Sequence, residues 1–144
     1  MDRNFFIAVF GRRFGFQYSP LIVEGERYMD RFILYCGVGT LRLHRFFRGD
    51  DARAPHTHPW KTWWTFPFCS YFEVVENPYY PIRGVYLVDR FKWHKRKASY
   101  RHIVIGRADG LKKPFWTFVV TGPATNKWGF YPEHDIFVPW REWG

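Results

Sequence analysis

Short runs rich in β-branched and aromatic residues recur along this chain, and each is closed by Gly, Pro, Asp or Asn. They occupy 5–10, 30–36, 40–48, 61–68, 71–75, 84–91, 100–105, 115–121 and 135–140. Between them, GRRFG, GDDARAP, ENPYYP, RADGLKKP and TGPATNKWG carry the residues that turns require. Only the window 20–29 mixes acidic and apolar residues in a way a short helix tolerates. Strands without long helices build an antiparallel barrel or a double-sheet sandwich, the jelly-roll group among them, because each sheet must bury its apolar face against another. No repeat, linker or low-complexity stretch divides the 144 residues, so a single domain over 1–144 is expected.

The side chains filling such a barrel are unusually aromatic. Phe, Trp and Tyr make up 23% of the chain, and Trp60, Trp63, Trp64 and Trp116 are expected mostly in the core, with one or two lining a cavity where a flat ligand could stack. Cys36 and Cys69 sit in apolar surroundings without the paired spacing of zinc or redox motifs, and read as free buried thiols. The opening MDRNFFIAVFGRRFGF has too short an apolar run for a signal peptide, and no window approaches the roughly 18 apolar residues of a membrane helix. A soluble, cytoplasmic protein without a membrane partner is the expectation.

The net charge of +9, with Arg outnumbering Lys, favours anionic partners. The densest basic run is FKWHKRK, where Lys92, Lys95, Arg96 and Lys97 surround Trp93 and His94. It reads as a solvated hairpin or loop, with a nucleic-acid contact as the alternative. Asp50 and Asp51 beside Gly49 read as turn formers. No nucleophile motif and no glycine-rich phosphate loop is present.

The stretch APHTHPWKTWW carries the chemistry. Side chains alternate across a strand, so His56 and His58 point the same way, close enough to meet on one ion or to stack as surface rings. His102 lies in SYRHIVI, sharing a face with Tyr100 and Val104, and can supply a third imidazole from another strand. Three neutral imidazoles with open positions suit iron, zinc, manganese or nickel. His44, in LRLHRFF, reads as a hydrogen-bonded sheet residue, a further ligand, or a donor behind the ligands. His94 and His134 are expected to be exposed. Glu73 reads as the partner of an arginine, with a general base or metal neighbour as alternatives.

The order LHRFFRGDD, HTHPW, SYFE, RHIV, FWTFVVTGP, WGFY and VPW resembles small cupin-like proteins of bacteriophages and bacteria over residues 38 to 141, with 1–37 as N-terminal strands and turn. The resemblance implies an all-β cupin-type double-stranded barrel with at most one short helix. It also implies His56, His58 and His102 as ligands of a divalent metal. The usual cupin glutamate shortly after the His-x-His pair is replaced here by Thr62 and Trp63, which leaves a three-histidine set similar to that of thiol dioxygenases. Trp60, Trp63, Glu73, Trp116 and His44 are candidates for the surrounding pocket. Two function classes follow: a metal-dependent enzyme of oxygenase or isomerase type acting on a small molecule, or a non-catalytic barrel holding an anionic or nucleotide-like ligand or a partner. A homodimer is compatible with either.

Overall fold

The structure is a computed structural model and describes residues 3–49 and 54–143. The expected turn at Asp50 and Asp51 lies outside the described residues. Among those described there is no helix and every ladder is antiparallel. The strands are β1 (Arg3–Val9), β2 (Arg12–Val23), β3 (Glu26–Cys36), β4 (Thr40–Phe46), β5 (Thr62–Pro67) and β6 (Tyr71–Glu76). They continue with β7 (Arg83–Val88), β8 (His94–Lys97), β9 (Arg101–Arg107), β10 (Phe115–Thr121), β11 (Gly129–Glu133) and β12 (Ile136–Pro139). One sheet has the order β1-β2-β3-β4-β10-β5-β8, and the facing layer is made of β7-β6-β9 and β11-β12. His56 joins these two pieces, forming bridges to His102 of β9 and to Phe130 of β11.

The window 20–29 is a hairpin, not the short helix its composition tolerates. Leu21, Ile22 and Val23 favour extended backbone, and Glu24 and Gly25 both adopt positive φ, 54° and 79°. Two consecutive left-handed residues make the tight turn whose twist matches antiparallel strands, and a helix would not tolerate them. Pro20, which has no N–H to donate, pairs with Asp30, two residues past Tyr18, the last partner of β1 among the described residues. The strands of 3–37 thus run continuously into the barrel wall, with β3 paired to β4 from Met29 to Tyr35.

Alternation decides what each strand contributes to the interior. On β10, Phe115, Thr117, Val119 and Thr121 are buried, while Trp116, Phe118 and Val120 are half-buried on the outer side. Phe115 stacks on Phe46 at 5.0 Å and on Tyr71 at 5.6 Å, closing one end of the barrel with Tyr28, Met29 and Val104. Trp60, Trp63 and Val119 form a second core cluster. Replacing a ring such as Phe115 by Ala would cost about 3–5 kcal/mol.

Several expectations change here. Cys36, at the end of β3, is exposed and Cys69 half-buried, so the thiols are free but not buried. FKWHKRK is a loop only in part: residues 91–93 lie in the turn after β7, and residues 94–97 form the edge strand β8, paired with β5. Period-two alternation then turns Arg96 inward while Lys95 and Lys97 stay exposed. Trp64 and Trp116 face outward, Trp116 stacking on Phe32 and under the Arg45 guanidinium. No helix among the described residues is long and apolar enough to cross a membrane.

Candidate metal centre

The segment carrying the two histidines enters no regular ladder; β5 begins only at Thr62. It is held extended by hydrogen bonds on both sides. His56 and His102 exchange N–H to O bonds of 3.2 and 3.1 Å, and Thr57 N–H donates to Gly129 O at 3.0 Å. Gly129 N–H returns a bond to Thr57 Oγ1, and Tyr131 N–H donates to Pro55 O at 2.8 Å. At the far end, Thr125 and Asn126 N–H both donate to Pro59 O. The glycine of the WGFY motif is required by space, since a Cβ at Gly129 would lie 2.1 Å from Val138 O.

Extended backbone puts the His56 and His58 rings on one side, with centroids 5.2 Å apart. His102 completes the group at 4.9 Å from His56 and 5.3 Å from His58. One ring nitrogen from each of the three lies within 4.8 Å of the others. The Nε2 atoms of His58 and His102 are 3.0 Å apart. That is about the separation of two nitrogens set at right angles around one ion with bonds of ~2.1 Å. His58 is stacked between Trp60 at 5.1 Å and Trp128 at 6.2 Å, with the edge of Trp63 at 4.8 Å, so its ring has little freedom to turn.

Glu73 stands behind this group and does not enter it. Its Oε2 accepts a 2.9 Å bond from His102 Nδ1, which leaves His102 Nε2 as the nitrogen facing the other rings. Its Oε1 accepts from Arg96 Nη2 at 2.9 Å and from the Tyr100 hydroxyl. Burial pushes the Glu73 carboxyl up, but the bond and charge of His102, then Arg96 and Tyr100, pull it below the usual carboxylate range. It is an anion at neutral pH. Burial, and then the same anion, push the Tyr100 hydroxyl up, so it stays protonated and donates.

Burial, followed by the neighbouring His56 and His102 rings and the Arg42 guanidinium, holds His58 well below the ordinary imidazole range. His58 is therefore neutral at pH 7 and has a lone pair to give. The donor set fits a divalent first-row ion: three imidazoles, one of them oriented by a carboxylate, and no carboxylate within the group itself.

The three rings face a cavity of about 420 Å³ between the layers. Trp60, Trp63 and His44 line it; Trp116 does not, because it lies on the outer side of β10. Among the described residues His44 Nε2 has no hydrogen-bond partner, and burial with the charges of Arg42 and Arg31 keeps it neutral well below pH 6.5. His94 Nε2 donates to Asp89 O at 2.9 Å and is half-buried, and His134 Nδ1 lies 4.0 Å from the buried Glu76, so neither ring is fully exposed as expected.

The cavity also holds residues that the sequence reading left aside: Arg31, Arg42, Tyr35, Ser19, Trp128 and Trp140. A signal for one of them was present. In TLRLHRF, Arg42 and His44 alternate with Leu41 and Leu43, so whatever places His44 inside places Arg42 there too.

No family model and no curated protein matches the sequence. Solved structures do match the fold. The Fe(II) form of HppE aligns with a TM-score of 0.57 at 7% identity over 74% of this chain and 56% of that one. The S161A mutant of Bacillus subtilis oxalate decarboxylase OxdC aligns at 0.55 with 10% identity, over 78% of this chain and 30% of that one. The chain thus spans about half the length of the first and less than a third of the second. At such identities the likeness shows the fold alone, an all-β cupin-type jelly-roll barrel.

Proposed function

We propose that this chain is a metal-binding cupin-like protein in which His56, His58 and His102 hold one divalent ion, and that it is a small metal-dependent enzyme of oxygenase or isomerase type. The observation that carries this reading is the convergence of three imidazoles, with nitrogens within 4.8 Å of one another, on a cavity of about 420 Å³. That volume suits a small-molecule ligand.

An ion bound there would supply Lewis-acid or oxygen-activating chemistry. The remaining roles fall to the chain's own residues. Glu73 holds the proton of His102 on Nδ1 and fixes the ring plane. Arg96 and Tyr100 hold Glu73 in turn. Trp60 and Trp63 exclude water from the ring faces and leave the cavity as the route to the open positions. Support for iron or manganese comes from the fold neighbours, described with Fe(II) and Mn(II) centres, while imidazole ligation serves zinc and nickel as well. The two free cysteines suit a reducing, cytoplasmic setting.

Elemental analysis of protein purified without an affinity tag tests this reading. One equivalent of a first-row metal, lost in His56→Ala, His58→Ala and His102→Ala with the fold retained, is the expected result. Wild-type protein that takes up no iron, zinc, manganese or nickel would leave a non-catalytic, ligand-binding barrel.

A further inference from the structure

Arg42 is a cation inside the barrel without a carboxylate. Its Nε donates to Thr40 Oγ1 at 2.8 Å, and its guanidinium lies 4.5 Å from the centre of the Trp60 ring. Among the described residues no acidic side chain forms an ion pair with it, and neither Nη atom donates to a protein acceptor. The inward-turned Arg96 differs, because it reaches Glu73. Burial, partly offset by Tyr35 and reinforced by the charge of Arg31, brings Arg42 down to about 10, so it remains a cation.

Sheet register places more donors beside it. Across the inner face, Ile33 pairs with Arg42, and in the next row Ser19 pairs with Arg31, Arg31 with His44, and His44 with Thr117. Arg31 donates from Nη2 to Ser19 Oγ at 2.7 Å and lines the same cavity. The buried Nε2 of His44 has no hydrogen-bond partner among the described residues. This wall belongs to the larger sheet, whereas His102 comes from the facing layer. Arg42 and His44 nonetheless line the same cavity as His56, His58 and His102.

A half-buried guanidinium without a counter-ion is unfavourable for folding, and replacing such a charge by an apolar side chain of similar length is often neutral or stabilising. A planar fork resting on an indole, with both Nη atoms free toward a cavity, is the arrangement that receives two oxygens of one oxyanion. We propose that Arg42, assisted by Arg31 and His44, forms an oxyanion subsite that takes the carboxylate or phosphate group of a small ligand. That the ligand's other end meets the three-histidine ion is a corollary that rests on the function proposed above; the subsite itself does not.

Calorimetric titration of the full chain, metal-free and metal-loaded, with propionate, inorganic phosphate and the neutral propionamide tests the subsite. Propionate or phosphate should bind about tenfold or more tightly than propionamide, and which of the two binds better separates a carboxylate from a phosphate ligand. Arg42→Met should weaken the anion about tenfold or more, with a thermal midpoint equal to or above that of the wild type, while Arg90→Met on the surface should change neither. If Arg42→Met does not fold, Arg42→Lys decides, with a loss of about threefold or more expected because the fork is gone. Propionamide binding as tightly as the anions, or an Arg42 variant within about twofold of the wild type, overturns the proposal. Arg42-dependent anion binding in a protein that takes up no metal would uphold the subsite and remove only the enzyme reading.

Discussion

Glu73→Gln tests the support behind the three histidines, because one atom changes while the side chain keeps its volume. The carboxylate is 1% exposed and accepts from His102, Arg96 and Tyr100. An amide oxygen can accept from one or two of these donors, but its NH2 group must face another donor, and Arg96, 14% exposed, is left without an anion. Breaking one side of a buried pair costs about 3–5 kcal/mol, and partial access of water to Arg96 places this site at the lower end, about 3 kcal/mol. With a urea slope of about 2 kcal/mol/M, the unfolding midpoint should fall by about 1.5 M at unchanged slope. Metal affinity should fall about 10–100-fold, since the His102 tautomer is no longer held by an anion. The pH dependence gives a second check. Glu73 has a depressed carboxyl in the folded state, so its contribution is complete above its ordinary value of 4.5 and is lost as pH falls through the lower folded value. The gap between wild type and Glu73→Gln should be full at pH 7 and close in acid. A variant within about 0.5 kcal/mol of the wild type, with metal affinity unchanged, would refute the reasoning.

His94→Ala should leave metal content unchanged, because its ring bonds to Asp89 O outside the cavity; elemental analysis beside the three ligand variants reads this directly. His44 stays neutral in the folded protein well below pH 6.5, so between those values the unfolded chain binds a proton that the folded chain does not, and stability falls as pH falls. His44→Gln should remove up to about 1.4 kcal/mol per pH unit of that slope below pH 6.5, measured by urea melts. Replacing Lys92, Lys95 and Lys97 by Gln should weaken retention on an anionic resin with stability unchanged within about 0.5 kcal/mol, whereas adding Arg96→Gln should destabilise the fold by orphaning Glu73. Stability falling with the lysines alone would show that they do more than solvate β8.

Alternation and turn residues alone determined that this chain is built of strands, because a period of two and left-handed glycines are properties of local backbone. They also determined that His56 and His58 project together, and that holds even though the segment joins no regular ladder. Local pattern could not separate 20–29 from a helix: the choice there depends on Glu24 and Gly25 turning and on Asp30 lying opposite Pro20. Nor could it say which face of a strand is inside. In LRLHRF and in HKRK the inward face carries Arg42, His44 and Arg96, and only the opposing sheet makes that face the interior. The pairing of Glu73 with His102, Arg96 and Tyr100 likewise joins residues far apart in the chain, through β6, β8, β9 and the turn between them. Such contacts are set by sheet order and register, which arise when the two layers close over their aromatic core, and no stretch of sequence read alone contains them.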